Sequence, residues 1–310
     1  MNHLETKIGK SIFRNPVFCA SGCFGYIYNM ARYTRLDRIG AASAKSVTKE
    51  PREGNPPPRM WELVGGNVGS VGQHNPGLDY YIKEIIPKIK KAAQPDQILV
   101  SVGGSVEDEY LESTSRLISA FGEDGFAAIE INASCPNAAC GGISFSKNPE
   151  TLYRLTCELR KIVRGTLLIK IATSFDNYLE AVVAAASAGA DAIYTTNVLT
   201  GLPIDVKKRK PALSAVRGAT SGPAFLPLGV FKTWEIYNKI SIPIIAGGGV
   251  YDLDGLLQYI MAGATAVSIG RIIFADPERP VKILEDLERY LIDSGISHYS
   301  DLIGVAHKPD

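Results

Sequence analysis

The run Ile131-Asn132-Ala133-Ser134-Cys135-Pro136-Asn137, with Gly141-Gly142 close behind, puts amides on both sides of a thiol. It begins where the apolar stretch from Phe126 to Ile131 ends. A primary amide presents a donor and an acceptor side by side and can read the edge of a polar heterocycle. A loop thiol can move a proton on and off carbon, because its thiolate is within reach near neutral pH. A buried cysteine in a turn stopped by Pro136 accounts for the same residues without chemistry.

Other polar groups fall at the ends of other apolar runs: Lys45, Lys170, Asn197, Gly247-Gly248-Gly249 and Gly270-Arg271. Taken singly they read as snorkelling lysines and turn residues; taken together they favour a site. Glycines let backbone N–H groups close on an anion, so the last two segments form a phosphate cradle. A cation such as Lys170 beside the N1/O2 edge of a flavin stabilises the reduced, anionic ring. No dinucleotide fingerprint with a downstream acid is present, which favours FMN over FAD or NAD. A phosphorylated sugar is the other ligand such a cradle allows.

Short apolar strands alternating with longer amphipathic segments must position these groups. Strands are expected over Val17–Ala20, Ala42–Val47, Ile98–Val102, Ala127–Ile131, Leu167–Ile171, Ala192–Thr196, Ile242–Ala246 and Ala266–Ile269. Helices are expected over Tyr80–Ala92, Glu107–Phe121, Pro149–Val163, Tyr178–Ala188, Leu228–Ile240 and Leu253–Ala262. The Ala-Gly-Ala steps at 188–190 and 262–264 read as a helix end followed by a strand. Eight such units predict an α/β fold, a (β/α)8 TIM barrel in a single domain over residues 1–310, with an open doubly wound sheet as the alternative. In a barrel, the loops after the strands carry the site.

The chain has 310 residues, 45% of them hydrophobic and 21% charged, with a formal net charge of +1. That balance gives no electrostatic reason to expect nucleic acid or an anionic membrane. The run Lys207-Lys208-Arg209-Lys210 reads as a solvated loop. Five cysteines, at 19, 23, 135, 140 and 157, are odd in number and point to a reducing compartment. Cys19 and Cys23 lack the second pair a metal site needs, so no metal is expected. The segment Met1 to Lys10 has no apolar core of a signal peptide, and the Ala-rich stretch near 181–190 is cut by Asp191. A cytoplasmic protein without a membrane partner is expected.

The chain resembles class 1 dihydroorotate dehydrogenases, in particular the catalytic subunit of the class 1B type, nearly end to end. The residues that carry this are Ala20-Ser21-Gly22, Lys45-Ser46, Glu50 through Arg59, Asn75-Pro76-Gly77, Asn132 through Asn137 with Gly141-Gly142 and Phe145, Ile204-Asp205 with Arg209-Lys210-Pro211, Ser221-Gly222-Pro223-Ala224, and Gly247 through Gly249. The resemblance implies FMN-dependent oxidation of dihydroorotate to orotate in pyrimidine biosynthesis. Cys135 would be the base at C5, and hydride would pass from C6 to FMN N5. It implies substrate contacts from Lys45, Asn132, Asn137, Asn197 and Val198, and from the loop Gly69, Ser70, Val71, Gly72 and Gln73. It implies flavin contacts from Ala20, Ser21, Lys45, Ser46, Ser101, Asn132, Lys170, Thr196, Gly222, Gly248, Gly249, Gly270 and Arg271. A homodimer and a separate FAD and iron–sulfur subunit that reduces NAD are implied partners.

Three positions depart from the family pattern. The substrate loop usually reads Asn-x-x-Gly-Leu-x-Asn-Pro-Gly, whereas here Gly69 and Gln73 stand where Asn and Leu are expected. Arg271 stands where class 1B enzymes commonly have a smaller residue. The loop keeps a second reading open, a related flavoenzyme for another dihydropyrimidine or similar heterocycle. A non-catalytic flavin- or phosphate-binding barrel is a third, opposed by Cys135 and the asparagines.

Overall fold

A computed structural model describes residues 3–134, 145–196 and 199–308. Eight parallel strands form a closed barrel: β1 (Val17–Cys19), β2 (Ala41–Ser43), β3 (Ile98–Val102), β4 (Ala128–Asn132), β5 (Thr166–Ala172), β6 (Ala192–Thr196), β7 (Ile244–Gly247) and β8 (Ala266–Ile269). Each pairs with the next along the chain, and β8 closes on β1 through Val267↔Val17 and Ile269↔Cys19. An open sheet would leave two unpaired edges, so this closure decides for the TIM barrel over the doubly wound alternative.

Helices Glu107–Phe121, Pro149–Ile162, Tyr178–Ser187, Leu226–Tyr237 and Leu253–Met261 connect β3 through β8, and Arg279–Asp293 follows β8. Gly189 and Gly263, at φ +100° and +115°, end two of them in the left-handed region that glycine tolerates. The helix expected over Tyr80–Ala92 is α-helical over Leu78–Tyr80 and Ile86–Ala92 but π-helical between, over Tyr81–Ile85. Pro87 has no N–H to return to the preceding turn, and the helix widens just before it. The segment expected over Leu228–Ile240 is helical from Leu226 and stops at Tyr237. The strand expected over Ala42–Val47 ends at Ser43, and Val47 rejoins β3 only by an isolated bridge to Val102. Lys45 therefore lies in a loop. Arg279–Asp293 is a further helix outside those expected, and its buried Val281, Leu284, Leu287 and Leu291 form an ordinary amphipathic stripe.

Inward-facing side chains recur at every second residue of a barrel strand. One interior layer is apolar: Phe18, Leu99, Leu168 and Ile245 pack with Ile8 and Phe13. The last two come from the hairpin Thr6–Ile8/Ser11–Phe13. Two residues further on, Leu99 and Leu168 give way to Ser101 and Lys170, and the strands between contribute Ser43, Glu130, Tyr194 and Ser268, all buried. Hydrogen bonds between non-adjacent strands, Ser43 to Glu130 and Tyr194 to Ser268, place these six inside the barrel. The core is thus apolar below and polar above, and the polar layer faces the mouth.

Long loops after β2 and β6 cover that mouth with an antiparallel sheet in the order Leu199–Gly201, Gly218–Ser221, Gly66–Gly69, Met60–Leu63. Its end is held by Gly222, at φ +154°, where an added Cβ would come 2.2 Å from the Gly65 carbonyl oxygen. The basic run forms the exposed turn of the hairpin Ile204–Asp205/Lys210–Pro211, where Lys208 pairs with Asp205 at 3.3 Å. Among the described residues, no helix is long and apolar enough to cross a membrane.

Candidate active site at the barrel mouth

Lys170 rises from β5 into the polar layer and is 4% exposed. Its Nζ donates to Ser21 Oγ at 2.9 Å, lies 3.4 Å from Glu130 Oε1, and sits 4.2 Å above the Tyr194 ring. Burial alone would pull the lysine pKa down, but the Glu130 charge, with Tyr194 beside it, more than offsets this and the pKa is raised. Lys170 is held as a cation. Glu130, at 0% exposure, accepts from Ser43 Oγ at 2.6 Å through Oε2 and from Ser101 Oγ at 2.7 Å through Oε1.

A chain of hydrogen bonds runs from this carboxylate to the amide at the end of β4. Ser101 has one hydroxyl hydrogen and gives it to Glu130, so in the 2.7 Å contact with Ser46 it is Ser46 that donates. Ser46 in turn accepts from Asn132 Nδ2 at 3.0 Å, while Asn132 Oδ1 accepts from Ser134 Oγ at 2.7 Å. The amide is therefore oriented from one end by Ser134 and from the other by the buried charge.

Three further cations approach the mouth. Lys45 has its pKa lowered by burial, with the nearby Arg59 charge acting in the same direction. Arg271 is likewise lowered by burial. Both, with Lys170, act on Cys23, whose thiol is nevertheless raised by burial and stays neutral. A Cβ on Gly270 would touch Cys23 Sγ and Ala20 Cβ, each at 3.6 Å, which puts the ends of β1 and β8 side by side. At the neighbouring strand end, a Cβ on Gly247 would meet Ser268 O at 2.3 Å, and one on Gly249 would meet Leu226 N at 2.5 Å and Gly222 O at 3.0 Å. The Gly248 carbonyl is engaged by Tyr259 Oη at 2.8 Å. Bare backbone beside Arg271 suits a phosphate, and Lys170 halfway round suits a flavin ring.

Two of the departures from the family pattern, Gly69 and Arg271, meet in space. Arg271 Nε donates to Ser221 Oγ at 3.0 Å and Nη1 contacts Met60 Sδ at 3.2 Å. A Cβ added to Gly69 would lie 2.8 Å from Met60 Sδ and 2.9 Å from Arg271 Nη2. The room a side chain at 69 would need is filled by the arginine. Ser221 also donates to Asn67 Oδ1 at 3.1 Å, tying the sheet together.

The rest of the 69–73 loop is held from outside. Ser70 is buried and bonded by Asn55 Nδ2 at 2.8 Å, Val71 is exposed, and Gly72 has φ +75° with Asn55 packed against it. Gln73, at φ +54°, accepts from Arg52 Nη1 at 2.8 Å through Oε1; its Nε2 is buried near Gly103 with no hydrogen-bond partner among the described residues. Arg52 also reaches Ser105 Oγ at 2.7 Å.

The expected site residues Ser21, Ser46, Ser101, Asn132 and Lys170 thus share one hydrogen-bonded cluster, with Lys45, Gly222, Gly248, Gly249, Gly270 and Arg271 around it. Thr196 pairs with Ala172 through the β5–β6 ladder. Cys135, Asn137, Asn197 and Val198 lie outside the described residues. Sequence reasoning passed over Glu130, Tyr194, Ser43, Ser268 and Met60, and weighed Cys23 only as a metal ligand. Glu130 was visible as the lone charge in the apolar run Phe126 to Ile131, a position that carboxylates rarely occupy unless paired.

The sequence model described as "Dihydroorotate dehydrogenase" matches residues 3–291. The "Dihydroorotate dehydrogenase B (NAD(+)), catalytic subunit" of Desulforamulus reducens is 38% identical over 309 residues, covering 98% of this chain and 99% of the relative. The protein of the same name from Desulforudis audaxviator is 37% identical over 295 residues, covering 95% and 94%. A crystal structure of DHODH from Eimeria tenella in complex with ferulenol superposes with a TM-score of 0.77 at 21% identity, over 100% of this chain and 90% of that one.

Proposed function

The chain belongs to the dihydroorotate dehydrogenase family, and from that premise we propose that it oxidises dihydroorotate to orotate with FMN as its bound flavin. The observation that carries the flavin reading is Lys170, a buried lysine kept cationic at the barrel mouth and facing strand ends stripped to glycine. Gly248, Gly249, Gly270 and Arg271 would hold the phosphate, and Lys170, Ser21 and Ser46 would meet the ring system. The excess of cations over carboxylates suits a phosphate and a substrate carboxylate together.

Bound FMN supplies the acceptor for the hydride that leaves C6 of dihydroorotate. The chain's own residues do the rest. Cys135 takes the proton from C5, which a thiolate can do near neutral pH when its site lowers its pKa somewhat from the ordinary value of about 8.5. Asn132, Asn137 and Asn197 read the amide and carbonyl edge of the pyrimidine. Asn132 enters this task already oriented by Ser134 and Ser46, so little ordering remains when substrate arrives. Lys45 would supply positive charge to the carboxylate, and Lys170 would place a buried cation where it stabilises negative charge on the reduced flavin. The names of the relatives carry "NAD(+)" and "catalytic subunit". We read this chain accordingly, as the partner of an electron-transfer subunit that passes the electrons to NAD; that it also pairs as a homodimer is what the family resemblance implies.

The test is anaerobic. The purified protein is expected to carry about one FMN per chain, and dihydroorotate is expected to bleach its visible absorbance. A protein that neither holds nor takes up FMN, or a flavin that dihydroorotate leaves oxidised, overturns the reading.

A further inference from the structure

A carboxylate with no exposed surface inside a barrel is an expensive group. A buried ion pair recovers its desolvation poorly, and apolar residues of similar volume commonly serve stability as well or better. Stability therefore gives no reason for Glu130, and its connections do. One oxygen receives Ser43; the other receives both Ser101 and Lys170. Through Ser101 the carboxylate fixes which way every hydroxyl in the chain points, up to Asn132.

We propose that Glu130 is the positioning residue of this site. Its carboxylate holds Lys170 in place as a cation and sets the direction of the Ser101–Ser46–Asn132 hydrogen bonds. One buried charge thus arranges both the lysine that faces the flavin and the amide that faces the substrate. This rests on the flavin reading above.

The other groups that face Lys170 do not supply the counter-charge. From β6, Tyr194 presents its ring face and a hydroxyl bonded to Ser268, and burial raises its pKa further. From the loop after β1, Ser21 is a neutral acceptor and Cys23 a thiol kept protonated by burial. Lys45 and Arg271, which also act on Cys23, are cations and would favour loss of the Lys170 proton. Of the groups that oppose desolvation of Lys170, Glu130 is the largest, and it also bonds the ammonium directly. Without it, Lys170 is expected to lose its proton when the flavin is oxidised and recover it when reduction brings a negative charge alongside.

Proton counting separates this from a merely structural role. Reduction to the anionic flavin takes two electrons and one proton. The equilibrium then changes tenfold per pH unit, which for two electrons is about 30 mV. If Lys170 also takes a proton on reduction, the change is a hundredfold per unit, about 60 mV. The experiment is a reductive titration of the FMN-loaded protein against indicator dyes between about pH 6 and 9, a window that lies below the ordinary lysine pKa of ~10.4. Flavin content is measured first on each sample.

Wild type is expected to follow the one-proton slope without a break. Glu130→Gln is expected to steepen to the two-proton slope over part of the range. Glu130→Asp, which keeps the charge, should keep the wild-type slope. A flavin-loaded Glu130→Gln with the wild-type slope overturns the inference, as does a break in wild type itself. The wild-type measurement stands even where the Gln variant fails to fold. The paired variant Glu130→Gln/Lys170→Gln removes both charges and should show the one-proton slope at the alkaline end of the range, where the reduced flavin itself stays anionic; a two-proton slope at that end would assign the extra proton elsewhere and overturn the inference. Wild type that carries no flavin fails the parent reading instead.

Discussion

At the scale of single residues, the candidate site is legible wherever a polar group breaks an apolar strand at its end. Ser21, Ser46, Ser101, Asn132 and Lys170 could all be placed from sequence, and they join in one cluster. Glu130 was missed for a physical reason. A carboxylate inside a strand makes sense only once its cation is known, and Lys170 is 40 positions away on the next strand. In the proposed reaction, Cys135 is the residue on which the chemistry turns. Replacing it with Ala is expected to leave FMN bound and slow dihydroorotate-driven flavin reduction by at least ~10²-fold, the usual effect of losing a general base. Cys135→Ser should be slow near neutrality and recover partly at high pH, since a hydroxyl is a far weaker acid than a thiol. Stopped-flow absorbance under anaerobic conditions reads both. Wild-type rates in both variants would remove Cys135 from the mechanism.

At the scale of elements, the strands were the easiest to read. Parallel barrel strands are buried on both faces and appear as short apolar runs, and every expected one is found within a few residues of its place. The sheet over the mouth was not legible. Its strands, such as Gly66–Gly69 and Gly218–Ser221, are glycine-rich and half exposed, and pair across 150 residues of sequence. That sheet explains the anomaly at Gly69. Its φ is not in the left-handed region, so glycine is required there by packing alone. The atoms a Cβ would strike are the mobile ends of Met60 and Arg271. Gly69→Asn is accordingly expected to fold, at a cost of about 1–3 kcal/mol for overpacking. It should push the guanidinium off Ser221 and weaken FMN several-fold, leaving dihydroorotate use no better. Met60→Ala in the same chain opens room and should restore much of the flavin affinity. Fluorescence quenching during reconstitution measures both; tighter FMN binding in Gly69→Asn would mean that Arg271 plays no part in holding the cofactor.

At the scale of the whole molecule, the barrel stacks two unlike interiors. The lower one, built around Phe18, Leu99 and Leu168 and closed by Ile8 and Phe13, is an apolar core that needs nothing further. The upper one gathers Lys45, Arg59, Lys170 and Arg271 around a mouth where Glu130 is the opposing buried charge. Like charges held together in partly desolvated surroundings repel, and a bound dianion relieves that repulsion while it covers the mouth. The apoprotein should therefore be markedly less stable than the flavin-loaded form. A ligand present at 1,000 times its Kd adds about 4 kcal/mol. In a domain of this size that corresponds to a rise in Tm on the order of 10 °C. The electrostatic share is screened by salt, so the rise should shrink as ionic strength goes from ~0.01 M, where the screening length is about 30 Å, to ~1 M, where it is about 3 Å. Calorimetry of apo and reconstituted protein at both salt levels checks this. A rise that is independent of salt would assign the stabilisation to contacts with the ring system and leave the cation cluster without a role in holding the cofactor.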